Sequence, residues 1–465
     1  MNDLTYSKWM KFQKSFFWYE SDQELIDELI SFFTKATWPD GSQSRSLIIG
    51  FPGYETVQMA PRIIERRHGY SSVRALTAEL ERTTESTDYD FVFIDMRQAL
   101  CTKESWSDFL RSDCDEFFSS LRESVKRDRY CGLLVPLEKP TEFPIPWAVA
   151  LAGRARLRLR DEKIALFRDS SRQYYCLFFQ SNEDERPSEV LTADKLRTNL
   201  PPFDLPAWVI PRPPPRRKGE LLHPAKFPET LVVRFIETFT KAGDTVFDPM
   251  VGTGSTVLAA MRTNRSGIGV DLIPNFIEIA KARILYEFPS SLLQSHPLPQ
   301  FKLIQGDATK LFEIPELRNT KFDYCITSPP YWSVLTSNGS EYQQLRRERK
   351  LPLVYSQLES DIGNIDDYDR FLKTLVDIYK DVASFLKSDG HLTVVVKNVK
   401  RKHVVYPLAW DIATQLACPG GSYEYLGTTL WCQDDISIRP FALGTHWVSN
   451  VLHHYCLHFR VRSAH

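Results

Sequence analysis

The chain is 465 residues long, a quarter of them charged, and its formal net charge is −1. That length accommodates two or three domains with ample core, and the balanced charge excludes the global basic field of a small DNA-binding protein. No apolar run reaches ~18 residues and residues 1–19 carry no apolar signal core, so neither a membrane span nor a secreted protein is expected. The eight cysteines form no Cys-x-x-Cys pair and no spaced Cys/His set, which predicts reduced thiols and no metal site. His453-His454 are adjacent on a predicted strand and so point to opposite faces.

In chain order, residues 46–50 with Phe51-Pro-Gly53 predict a strand and turn, and residues 88–95 a buried strand running into Met96-Arg97-Gln98. A helix over 115–125, a strand over 132–136, a helix near 147–152 and a hairpin of 163–167 with 174–179 follow. Residues 201–215 are rich in proline, and Pro211–Lys218 adds a basic run, so 201–220 reads as a linker. Beyond it the spacing predicts an amphipathic helix over 228–241, strands over 245–248, 267–271, 303–308 and 323–327, and a helix over 367–386. A turn at 387–390 leads into a strand over 391–397, and a helix over 410–417 precedes a closing antiparallel hairpin of 426–432 and 451–461.

Two segments carry chemistry. In 245–261 a strand meets a glycine-rich turn, Asp248-Pro249-Met250-Val251-Gly252-Thr253-Gly254-Ser255, and then a good helix. Gly252 and Gly254 let backbone approach a ligand, and a helix start offers unpaired N–H groups. Asp271 and Asp307 end the next two strands, at the carboxyl edge where open α/β sheets bind ligands. In the second segment a β-branched and aromatic run stops at Ser328-Pro329-Pro330-Tyr331-Trp332. The prolines fix φ there and leave carbonyl acceptors, the serine adds a hydroxyl, and the tyrosine offers a face for stacking, which suits a planar ring bearing an exocyclic amine.

Residues 221–465 resemble the amino-methyltransferases of DNA, which use S-adenosylmethionine to methylate cytosine N4 or adenine N6. Asp248–Ser255 resembles their methionine-binding motif, with Met250 where phenylalanine is usual, and His223-Pro-Ala-Lys-Phe227-Pro resembles the element covering the methionine end. Thr327–Trp332 resembles the catalytic motif in its cytosine-N4 form, since adenine-N6 enzymes more often carry Asp or Asn before Pro-Pro. The resemblance implies a Rossmann-like α/β fold with a mixed sheet, and a catalytic set of Ser328, Pro329, Pro330 and Tyr331. It implies cofactor binding by His223, Phe227, Asp248 (methionine amine), Pro249, Gly252, Gly254, Ser255, Asp271 (ribose) and Asp307 (adenine). Residues 1–200 read as a degenerate copy of the same fold, with Asp95-Met96-Arg97-Gln98 in place of Ser-Pro-Pro-Tyr.

The expected partner is double-stranded DNA, with a restriction endonuclease as a possible companion, in a prokaryotic cytoplasm at the nucleoid. A monomer acting as an internal pseudo-dimer, or a homodimer, would serve. Basic runs at 346–350 and 397–403 follow sites at the catalytic edge and are expected to meet phosphates. Adenine N6, an RNA target and a non-catalytic nucleic-acid-binding pseudo-methyltransferase are the alternatives.

Overall fold

A computed structural model describes residues 4, 6–51, 62–67, 70–84, 89–136, 145–167, 173–183, 205–206, 208–209, 228–289, 299–330, 332, 358, 360–401, 404–433 and 451–462. They gather into two compact units. One takes in 1–195, 398–407 and 433–453, the other 196–397, 408–432 and 454–465. The chain thus leaves the second unit twice and contributes both excursions to the first.

In chain order the first unit comprises α1 (Tyr6–Phe12), β1 (Phe16–Tyr19), α2 (Asp22–Phe33), β2 (Arg45–Ile49), β3 (Ile63–Arg67), α3 (Val73–Thr84) and β4 (Tyr89–Asp95). It continues with α4 (Lys103–Asp108), α5 (Cys114–Ser124), β5 (Val125–Pro136), α6 (Ile145–Gly153), β6 (Arg158–Phe167) and β7 (Gln173–Gln180). Its sheet runs β1-β6-β7-β5-β4-β2-β3, with β2 to β5 parallel and β7 antiparallel to both β5 and β6. Every residue of β4 is buried, as a central parallel strand requires. α2 starts where the Ser21 hydroxyl accepts the Glu24 N–H, and it buries Leu25, Ile26, Leu29, Ile30, Phe32 and Phe33. Such side chains contribute roughly 1.5–3 kcal/mol each.

The second unit begins with β8 (Trp208–Val209), α7 (Glu229–Phe239), β9 (Thr245–Asp248), α8 (Ser255–Arg262), β10 (Ser266–Asp271) and α9 (Pro274–Glu287). It continues through β11 (Phe301–Gln305), β12 (Phe322–Thr327), α10 (Tyr368–Phe385) and β13 (Leu386–Val396). The hairpin β14 (Val399–Arg401) and β15 (Val404–Tyr406) falls in the first unit, before α11 (Leu408–Leu416), β16 (Tyr423–Cys432) and β17 (His453–Val461) close the sheet. The order is β11-β10-β9-β12-β13-β17-β16-β8, parallel from β11 to β13, with β17 antiparallel to β13. This is the expected mixed-sheet Rossmann-like α/β fold. Strand order reverses between β9 and β12, which opens a crevice at their carboxyl ends.

The two units repeat particular details. Asp90 on β4 accepts the Arg45 N–H at 2.9 Å and Lys126 Nζ at 3.1 Å. Asp323 on β12 accepts the Thr245 N–H at 2.9 Å and Lys387 Nζ at 2.6 Å. Both strand pairs shift register across this aspartate, and the partner strands carry Asp128 at φ 65° and Asp389 at φ 61°. Each sheet ends on a short edge strand running parallel to its neighbour, β1 on β6 and β8 on β16. β11 has no described counterpart in the first unit.

A buried polar chain crosses the second sheet. Tyr324 Oη donates to Thr393 Oγ1 (2.6 Å), Thr393 Oγ1 meets His458 Nδ1 (2.9 Å), His458 Nε2 meets Thr429 Oγ1 (3.2 Å), and Thr429 donates to the Pro206 carbonyl (2.8 Å). The two ends fix the direction of every proton, so His458 carries its proton on Nε2 and accepts at Nδ1. Burial, helped by the nearby His391, pushes the His458 pKa down to about 3, which keeps that tautomer neutral.

In the basic run at 397–403, of which 402–403 lie outside the described residues, Lys400 departs from expectation. Lys400 is nearly buried and ion-paired with Asp161 inside the first unit, so its charge is not offered to a phosphate. The runs at 211–218 and 346–350 lie outside the described residues. His453 Nδ1 meets Ser15 Oγ at 2.8 Å while His454 stacks on Trp431 at 4.1 Å, so the two rings diverge.

Candidate active site

The site is built on the turn after β9. Asp248 ends that strand fully buried: its Oδ1 accepts the Met250 N–H at 3.0 Å and its Oδ2 accepts Thr256 Oγ1 at 2.6 Å. Each oxygen thus accepts one donor from the turn or the start of α8, and Asp248 is not among the described residues lining the cavity beside it. Burial pushes its carboxyl up to about 6, against the hydroxyl and amide that donate to it.

Close packing explains the glycines. Gly254 sits at φ 82°, and a Cβ there would lie 2.8 Å from the Ala280 Cβ. Gly269 on β10 is the less obvious one: a Cβ would lie 2.6 Å from Val251 Cγ2, so its absence lets the turn fold down onto the sheet. Its constraint comes from Val251 on the turn after β9, eighteen residues earlier in the chain.

A cavity open to solvent, about 830 Å³ when that open space is included, lies against this turn. The structure brings Pro249, Gly252, Ser255, Asp271, Asp307, Ser328, Pro329 and Pro330 to its wall. Sequence reasoning missed Ile273, Phe276, Ser360, Asp361 and Ile362, which also line it. His223, Phe227 and Tyr331 lie outside the described residues.

Asp271 accepts the Gly252 N–H at 2.8 Å and the Ile273 N–H at 2.9 Å, one on each oxygen. Each oxygen keeps lone-pair capacity for ligand hydroxyls. Burial pushes this carboxyl up to about 6, the two N–H groups oppose the shift, and the charge of Asp361 adds to it. Asp307 is partly exposed and accepts the Thr309 N–H and hydroxyl at 2.9 and 2.7 Å. Ser255 opens α8 at 6% exposure, and its Oγ has no hydrogen-bond partner. A buried orphan hydroxyl on a cavity wall is a group waiting for a polar ligand. Beyond the turn, Trp332 is buried, donating Nε1–H to the Asp366 carbonyl at 3.2 Å and meeting Tyr368 edge-on at 5.2 Å.

At the corresponding strand end of the first unit, an arginine holds the acid. Asp95 ends β4, and Arg97 donates to it from its backbone N–H (2.9 Å), Nε (2.9 Å) and Nη2 (2.7 Å) while also reaching Asp22 at 2.8 Å. The same guanidinium lies over the Tyr174 ring at 4.8 Å.

A cavity at the carboxyl ends of a parallel sheet, beside a Gly-rich turn and a Ser-Pro-Pro turn, defines the class. Residues 6–282, more than half of the chain, match the family model described as DNA methylase, and the chain belongs to that family. Type II methyltransferase M.HpaI of Haemophilus parainfluenzae is 44% identical over 71 residues, 15% of this chain and 23% of that protein. Type II methyltransferase M.BglI of Bacillus subtilis is 39% identical over 77 residues, 17% and 21% of the two chains. The chain thus spans under a quarter of the length of these curated relatives. The solved 16S rRNA N2 G1207 methyltransferase of T. thermophilus aligns over 91% of this chain and 89% of its own, at 13% identity and a TM-score of 0.26, too remote to carry an argument.

The cofactor of the family is S-adenosylmethionine, and the wall fits it: Asp271 for ribose hydroxyls, Asp307 farther along the edge for the adenine, and Ser255 with the α8 N-terminus for the methionine end. Were Asp271, whose pKa is about 6, to hold the ribose, its ionised form would accept the hydroxyls more strongly than the protonated one. Below that value a proton occupies the acceptor, so affinity falls as pH drops. Titrating S-adenosylmethionine should give a Kd about tenfold weaker at pH 5 than at pH 7. A flat profile would remove Asp271 from the ribose.

Proposed function

We propose that the chain transfers a methyl group from S-adenosylmethionine to the N4 amine of a cytosine flipped out of double-stranded DNA. The observation that carries this reading is the position of Ser328 and Pro329 on the wall of the cofactor cavity. The cofactor, when bound, supplies an electrophilic methyl on its sulfonium.

The cytosine amine is a poor nucleophile because its lone pair is delocalised into the ring. Ser328 Oγ and the Pro329 carbonyl accept its two N–H groups, which favours a tetrahedral nitrogen whose lone pair is aimed at the methyl. Tyr331 stacks on the flipped base, and Trp332, anchored to Asp366, steadies the turn. Extrusion costs a few kcal/mol, and positioning supplies most of the acceleration. A serine, not an acid, at this position favours cytosine N4 over adenine N6.

The first unit serves as a non-catalytic copy that supports the second or grips DNA. The repeated Asp–Lys pairs and register shifts support common descent, and the Arg97 clamp on Asp95 supports inactivity. The family match runs through this unit and ends at 282, before Ser328. An internal pseudo-dimer lessens the need for a second subunit, and a restriction endonuclease of matching specificity is the partner to look for.

The test is to incubate the full chain with duplex DNA and labelled S-adenosylmethionine, then separate the nucleosides. N4-methylcytosine is the expected product. N6-methyladenine would move the target base, label confined to RNA would move the substrate, and cofactor binding without transfer would leave a pseudo-methyltransferase.

A further inference from the structure

Pro329 and Pro330 carry no backbone N–H, so at these two positions the turn after β12 donates nothing to a neighbouring strand. An anchor lies two residues beyond Pro330. Trp332 is buried, its Nε1–H donates to the Asp366 carbonyl at 3.2 Å, and its ring meets that of Tyr368 at 5.2 Å with 71° between the planes. Tyr368, itself buried, opens α10, where the Asp367 side chain caps the helix by accepting the Arg370 N–H at 2.8 Å.

The phenol of Tyr368 is held in turn. Its Oη donates to Asp411 Oδ2 at 2.6 Å, and Asp411 lies on α11 in the same unit. A hydrogen bond to a carboxylate is among the stronger kinds, and it fixes where the far end of the ring lies. α10 buries side chains from Tyr368 to Phe385, so its first turn is part of the core. Trp332, Tyr368 and Asp411 are not among the described residues lining the cofactor cavity, whereas Ser328, Pro329 and Pro330 line it, as do Ser360 to Ile362 shortly before the helix. The chain from Asp411 through Tyr368 to Trp332 thus ends beside the catalytic turn and outside the cofactor wall.

We propose that Tyr368 is a positioning residue for methyl transfer: through Trp332 it holds Ser328 and the Pro329 carbonyl where the target amine must meet them. The proposal rests on the reading of that turn as the site of the amine. Transfer needs the nitrogen in line with the methyl, and misplacing the groups that aim it by about 1 Å costs on the order of a hundredfold in rate. An aromatic contact two residues from the turn, fixed at its far side by a carboxylate, suits so narrow a tolerance.

The test is single-turnover transfer to duplex DNA by the full-length protein with S-adenosylmethionine bound, for Tyr368→Leu, Trp332→Leu and the double variant, alongside the Kd for the cofactor. Each single variant should transfer about tenfold more slowly, the double variant no more slowly than the worse single one, and the cofactor Kd should stay within about twofold of wild type. Losses that multiply in the double variant would overturn the proposal, because the tyrosine would then act by a route other than Trp332. Cofactor affinity falling in step with transfer would overturn it in favour of a structural role, since a loosened helix start would also disturb Ser360 to Ile362 on the cavity wall. Wild-type transfer by Tyr368→Leu would overturn it outright. Where a leucine variant fails to fold, phenylalanine at that position takes its place in the cycle. Tyr368→Phe removes the hydrogen bond to Asp411 and Trp332→Phe the one to Asp366, each with an expected loss of about fivefold, and an unchanged rate would overturn the proposal. Wild-type protein that bound the cofactor yet methylated no DNA would fail the reading of the turn itself, a result visible before any variant is made.

Discussion

Ser328→Ala should lower kcat for methyl transfer by about a hundredfold or more while leaving the Kd for S-adenosylmethionine within about twofold. Removing one positioned hydrogen-bonding group from a transition state has costs of that order in other enzymes. The side chain sits where β12 ends, on a turn whose two prolines cannot relax to replace it, so no neighbouring group can shift into its place. The cofactor contacts proposed above, at Asp271, Asp307, Ser255 and the turn after β9, are not touched by the substitution. Single-turnover transfer with bound cofactor separates chemistry from binding. Near wild-type transfer would remove Ser328 from the amine, and an equal loss of cofactor affinity would make it a wall residue only.

The parts of the site legible in the sequence are those whose constraint is local. The Gly252–Gly254 turn, the aspartate ending β10 and the Ser-Pro-Pro stop each announce themselves within a dozen residues, and all three reach one cavity. Asp248 shows the limit of that legibility: its place in the motif is plain, but which way its carboxylate turns depends on Thr256, eight residues later on α8. Asp361 was invisible because it follows a long stretch without periodicity, and only folding returns it to Asp271.

In the first unit the buried strands β4, β5 and β7 were readable as apolar runs. β3 was not, because its Ile-Ile-Glu-Arg-Arg sequence is that of a charged edge strand. The contribution of 398–407 to that unit could not be read at all. Its lysines look like a solvated run, and the acid that buries Lys400 lies 239 residues away.

That buried acid gives the largest effect on stability. Asp161 is completely buried on β6, pairs with Lys400 and lies 3.2 Å from Lys163 Nζ, while Lys163 also donates to the Phe12 and Lys14 carbonyls at 2.8 and 2.6 Å. Burial pushes the Lys163 pKa down to about 8 even with Asp161 beside it. Asp161→Ala leaves two lysines facing a dry interior, and breaking a buried pair from one side costs about 3–5 kcal/mol. The loss has a pH signature that a mere packing defect lacks. With the acid gone, the folded-state pKa of Lys163 falls further below its unfolded value, so over that interval the unfolded chain binds more protons than the folded one. Stability therefore rises with pH there, and the variant should recover part of its deficit between pH 7 and pH 9, more steeply than wild type. Urea unfolding at both values measures this; parallel curves, or a deficit under about 1 kcal/mol, would mean the charges are solvated after all. Because the first unit is read as non-catalytic, kcat of the folded variant at low temperature should stay within about twofold of wild type, and a collapse of turnover without unfolding would give that unit a part in the chemistry.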